Sequence, residues 1–205
     1  MTEEIGISNI VYLQAVQSKS LVLLLLVFII SIIGKMNFTP TLTLDILFFG
    51  SGYFLFYLLS TILANALHER GHILKLQELG YQAINFKAHR VGNVSFSIEN
   101  VENMTADETY QVASAPFRQF SFYITEFISL LTLVGISLIS PFPLDIFLLA
   151  ITGLISISFL GSLCAFVTIQ KQLASGFCVK LARTVTSRGD IDDIVTWNTM
   201  HEKGK

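Results

Sequence analysis

Four long stretches of this sequence carry almost no charge, and such stretches leave a chain few folds to choose from. A bilayer core takes about 20 mainly apolar residues in helical form, because a helix advances about 1.5 Å per residue and the hydrocarbon layer is about 30 Å thick. Residues near 20–39, 44–67, 120–139 and 144–169 meet that requirement. Hydrocarbon offers no partner to a backbone N–H or C=O, so each stretch is expected to be a helix that pairs its own backbone. The first is the weakest span. Its uninterrupted part, residues 21–33, is short and is followed by Lys35 and Asn37, which predicts a tilted or partly re-entrant helix. Pro141-Phe142-Pro143 predicts a tight turn between the last two, since neither helix can run through it.

Composition points the same way. Of 205 residues, 52% are hydrophobic and only 14% charged, far more apolar than an ordinary soluble domain. The expected fold class is an all-α multi-pass membrane protein, one domain over residues 1–205, with the lipid bilayer as its first partner. A net charge of −2 offers no basic footprint, so nucleic acid is not an expected partner. The run at 21–33 begins too far in, and lacks the small-residue cleavage pattern, to read as a removed signal peptide. Cys164 and Cys178 have neither CxxC nor metal-finger spacing and are expected to be packing residues.

Four spans put both termini on one face, and basic residues choose which. Lys19, then Arg70, Lys75, Lys87, Arg90 and Arg118, then Lys171, Lys180, Arg183, Arg188, Lys203 and Lys205 fall on that face, leaving only Lys35 on the other. The termini, the hydrophilic loop at 73–117 and the tail at 170–205 are therefore expected in the cytoplasm. Within the loop, residues 83–91 and 94–98 alternate in strand fashion about Gly92-Asn93, which predicts a small β-hairpin or sheet.

At the cytoplasmic end of the second span stands His68-Glu69-Arg70-Gly71-His72. Histidines four apart lie one above the other on a helix, so both imidazoles can reach one metal ion, with a carboxylate beside them. The helix is expected to continue to Leu79 and stop at Gly80. A hydrolytic zinc ion takes three protein ligands, keeps a fourth position for water and acidifies that water. His68 and His72 supply two ligands, and Glu69 is expected to carry the proton from water to the leaving amine. A chance match is the competing reading, but an unpartnered pair of histidines and a glutamate where an apolar helix meets the interface would be costly. Thr61 and Asn65 share the stripe of His68 and His72; they either help water or substrate into the apolar span, or hydrogen-bond across helices. His89 and His201 lack a partner at ligand spacing and are expected to be solvated.

The third ligand has to come from elsewhere. Glu126, inside the third span, is one candidate, because a carboxylate in a bilayer is usually functional. Asp190, Asp192 and Asp193 are the others, and Asp190 is favoured because a turn at Ser187-Arg188-Gly189 would lift it back toward the metal. Asp192 and Asp193 read equally as an exposed helix start.

Together these residues resemble the site-2 protease family of intramembrane zinc metalloproteases, in a small prokaryotic form, over most of residues 55–193. His68-Glu69-Arg70-Gly71-His72 is similar to the family's His-Glu-x-Gly-His. Gly80, Val91-Gly92-Asn93-Val94-Ser95 and Ser114-Ala115-Pro116-Phe117-Arg118-Gln119 resemble its short sheet and the approach to its next span. Gly189-Asp190 stands where the family carries an aspartate beside glycine, here with the order reversed. The resemblance implies cleavage of a peptide bond in or near a transmembrane segment of a substrate, with zinc held by His68, His72 and Asp190 and Glu69 as the base. The substrate would be held in extended form against an edge strand, giving Val94 and Phe96 as substrate-binding residues, with Asn65 of the polar stripe as a third. A maturation protease for a small secreted peptide and a non-catalytic zinc-binding immunity or sensor protein are the alternatives.

Overall fold

The computed structural model describes residues 10–12, 15, 18–39, 41–90 and 93–202. Four of its helices are long and apolar enough to cross a membrane: α1 (Lys19–Asn37), α2 (Leu42–Glu78), α4 (Phe120–Ile139) and α5 (Leu144–Gln170). Between them lie the two-stranded antiparallel sheet of β1 (Ala83–Arg90) and β2 (Asn93–Ile98) and the short helix α3 (Ala106–Ser114). Two further helices, α6 (Phe177–Val185) and α7 (Arg188–Glu202), follow the last span. Val91 and Gly92 of the predicted hairpin turn, and Lys203 and Lys205 of the charge pattern, lie outside the described residues.

Local chemistry sets the limits of these elements. Ser18 caps α1 by accepting from the Leu21 amide at 3.1 Å, which satisfies one of the amides a helix start leaves unpaired. α1 is one regular helix of 19 residues, with no re-entrant break at Lys35. α2 takes in both the predicted second span and its continuation in 37 residues, a length of about 55 Å. It ends at Gly80, whose φ of +85° is open to glycine at little cost. There the Gly80 amide donates to the Gln77 carbonyl and the Tyr81 amide to the Leu76 carbonyl, the paired bonds that close a helix on a left-handed residue. Pro141 and Pro143 separate α4 from α5, as expected.

The chain divides into two compact units. One comprises Met1–Asn65, Ala88–Val94 and Thr125–Ile155. Its core holds Tyr53, Leu133 and Leu148. The Tyr53 hydroxyl, fully buried, pairs with that of Thr152 at 2.8 Å, and Ser137 donates to the Leu133 carbonyl, so these hydroxyls among apolar helices are partnered. Lys35 meets Asp45 at 2.6 Å and thus ties the end of α1 to the start of α2.

The other unit comprises Ala66–Lys87, Ser95–Ile124 and Ser156–Lys205. Its core joins Tyr110 and Phe117 to Ala165, Val179, Ile191 and Ile194. The segment expected as a tail thus supplies two packed helices. α6 lies so close to α5 that a Cβ on Gly161 would stand 2.0 Å from the Val185 side chain, a distance only glycine allows. α3 meets α7 through Tyr110 and Trp197, stacked at 4.1 Å, while Trp197 Nε1 donates to Asp107.

Candidate metal centre

One turn of α2 and the first turn of α7 bring three side chains together. His68 Nε2 lies 3.1 Å from Asp190 Oδ2, His72 Nε2 lies 3.3 Å from the same oxygen, and the two Nε2 atoms are 3.3 Å apart. Both histidines are buried and the aspartate is half-buried. Among the described residues this is the one group of three His, Cys, Asp or Glu side chains able to hold a metal ion.

The arrangement can be tested against zinc by its dimensions. Zinc bonds of about 2.0–2.2 Å to nitrogen and oxygen in a tetrahedron put neighbouring ligand atoms about 3.3–3.5 Å apart, close to the three separations here. His72 Nδ1 lies 2.9 Å from the Val112 carbonyl oxygen, to which it can only donate. That bond leaves the lone pair of a neutral His72 on Nε2, facing the centre, the tautomer a metal ligand needs. A lone pair aimed at the Asp190 carboxylate calls for a positive species between them, a proton or a metal cation. Burial alone would raise the Asp190 carboxyl, but its hydrogen bonds to His68 and His72 outweigh that and hold it well below the usual carboxylate range. An ionised carboxylate and two nitrogen donors are a donor set that suits zinc.

Glu69 follows His68 on α2, is half-buried, and feels the charges of His72 and Asp190. Gly71 sits where the Pro116–Arg118 turn crosses the helix: a Cβ there would be 2.7 Å from Pro116 Cα. The chain itself thus makes a close approach at this glycine.

The remaining candidates are placed elsewhere. Asp192 pairs with Arg183 at 2.7 Å and with Arg188 at 3.6 Å, Asp193 is exposed on α7, and neither they nor Glu126 belongs to the three-residue group. Asp190 reaches the histidines from the start of a helix, not from a Gly-Asp turn as expected, because α7 begins at Arg188 and includes Gly189. Asn65 precedes His68 by one turn with its Nδ2 buried and unpartnered, whereas Thr61 donates to the Tyr57 carbonyl on its own helix. Val94 is buried, and Phe96 lies 6.3 Å from the His72 ring, centroid to centroid. His201 is exposed and stacks on Trp197 at 3.7 Å; the His89 side chain lies outside the described residues. Cys164 and Cys178 are free, and Cys164 packs on the core.

Three contributors escape a reading of side-chain motifs. Val112 acts through its backbone, which no residue type announces. Phe117 and Phe122, packed on His68 at 5.1 and 5.8 Å, read in sequence as ordinary apolar residues. In comparisons with known proteins, no family model, no curated protein and no solved structure matches this chain.

Proposed function

We propose that the chain is a membrane-embedded zinc metalloendopeptidase of the site-2 protease kind, hydrolysing a peptide bond in or near a transmembrane segment of its substrate. The observation that carries this reading is the meeting of His68, His72 and Asp190 at zinc-ligand separations with Glu69 alongside. A purely structural site has no use for a free carboxylate next to its ligands. Zinc, when bound, supplies a Lewis acid that polarises a carbonyl and acidifies water.

The protein's own groups do the rest. Val112 orients His72, and Asp190 balances the cation's charge. Glu69 takes a proton from the attacking water on its carboxylate and delivers it to the leaving amine. About 39 Å of helix separates Leu42 from His68, more than a hydrocarbon core, so the site falls at the membrane boundary, where water is within reach. A substrate helix is protected by its own hydrogen bonds there and must be extended before it can be cut. The outer edge of a two-stranded sheet beside His72 offers backbone groups to hold such a segment. Asn65 Nδ2, buried without a partner, is a donor for the substrate backbone.

The test is Glu69→Gln in purified protein. Bound zinc should stay at the wild-type stoichiometry while cleavage of a transmembrane peptide falls by at least about 100-fold, the lower end of what a proton-transfer group contributes. Undiminished cleavage by Glu69→Gln, or wild-type protein that takes up no zinc, would refute the proposal.

A further inference from the structure

The two histidines are walled differently. His68 packs edge-on against Phe117 and is tilted against Phe122; these rings are 1% and 6% exposed, so that side of the centre is closed. His72 faces Phe96 at 6.3 Å between centroids, and Phe96 in turn faces Phe86 at 5.4 Å with the planes 36° apart. Phe86 on β1 and Phe96 on β2 are only half-buried. An aromatic pair left partly open beside three converging polar donors is an unfilled apolar surface. It is continuous with the candidate metal centre, since His72 belongs to both.

We infer that Phe86 and Phe96 form a subsite for an aromatic or long aliphatic side chain of the ligand whose carbonyl is presented to His68, His72 and Asp190. The inference rests on the metalloendopeptidase reading and adds to it a substrate class: an apolar residue next to the cut bond. An acidic side chain is disfavoured, because it would lose water against two phenyl rings while approaching the Asp190 and Glu69 carboxylates. An apolar one gives up only water, and a ring can stack on either phenyl face. The closed wall at Phe117 and Phe122 leaves the hairpin side as the place for that residue.

The experiment is calorimetric titration of the zinc-loaded full chain in detergent with two zinc-directed probes, acetohydroxamic acid and 3-phenylpropanohydroxamic acid. The phenyl compound should bind at least about tenfold tighter, the lower end of what an apolar pocket yields for a few extra carbons. Phe86→Ala should shrink that advantage while leaving bound zinc and acetohydroxamate affinity as in the wild type, and Phe96→Ala should shrink it as well. Phe96→Leu, which keeps an apolar side chain there, should retain part of it. Equal binding of the two probes by the wild type, or an undiminished phenyl advantage in both alanine variants, overturns the subsite and leaves the metal centre standing. Loss of zinc from both alanine variants also overturns it, since the rings would then serve only to support His72. Failure of both probes to bind the zinc-loaded wild type overturns the metal reading itself.

Discussion

Asp190 lies 122 positions from His68 in the chain, and that separation divides what the sequence could tell from what it could not. The His68–His72 pair is legible because helix geometry fixes the relation of residues four apart. Three aspartates within four positions are not separable by spacing; they are separated by the phase of α7, which turns Asp190 to the histidines and Asp192 to Arg183. Asp190→Ala should therefore weaken zinc binding by more than the roughly 10–100-fold that loss of an orienting partner costs. Asp192→Ala removes a half-exposed surface pair worth about 0–1 kcal/mol and should leave zinc in place. Metal analysis of the two variants side by side checks this, and zinc loss from Asp192→Ala alone would reassign the ligand. Gly71 makes a separate demand. Its missing Cβ gives room to Pro116 backbone that has no rotamer to swing away, so Gly71→Ala should cost about 1–3 kcal/mol of stability, typical of overpacking. An unshifted melting temperature would contradict it.

Elements were readable where one period repeats. The four apolar helices and the alternation of β1 and β2 announce themselves within short windows, and the helix stop at Gly80 has its own residue. α3 is hard to read from sequence because it is short and lies within a polar loop, although Thr105-Ala106-Asp107-Glu108 carries the start signal. The Thr105 hydroxyl accepts from the Glu108 amide while the Glu108 carboxylate accepts from the Thr105 amide at 2.8 Å. α3 matters to the centre, since it carries the Val112 carbonyl that orients His72. Thr105→Ala should cost about 1 kcal/mol, the usual value of a lost cap, and loosen zinc without touching a ligand. The bond to the Thr105 amide, and after it that to the Thr105 hydroxyl, hold the Glu108 carboxyl below the usual range. Its stabilising effect is thus fully present above the pKa of an unfolded glutamate, about 4.3, and is lost as pH falls through the lower folded value. The melting-temperature gap between wild type and Glu108→Ala should therefore be widest near neutrality and close toward strongly acid pH. A gap that widens in acid would show that Glu108 does not act through its charge.

At the scale of the whole chain, helix count and charge together predict an orientation. An even number of crossing helices returns a chain to the face it left, so crossing by both α4 and α5 would put the 73–117 loop, with α3, on the side of α6 and α7. Nearly all lysines and arginines would then lie on that side. The exception is Lys35, which pairs with Asp45 at 2.6 Å. By the bias of basic residues toward the cytoplasm, the turn between α4 and α5 should face outward and the candidate centre inward. Phe142 in that turn is 72% exposed and serves as a reporter. In a background with Cys164 and Cys178 replaced by alanine, Phe142→Cys should react with a membrane-impermeant maleimide on intact cells, and Arg188→Cys only after lysis. The reverse pattern would put the candidate centre outside the cell. Labelling of both positions before lysis would mean that the chain crosses an even number of times between them, which a single crossing by α5 does not permit.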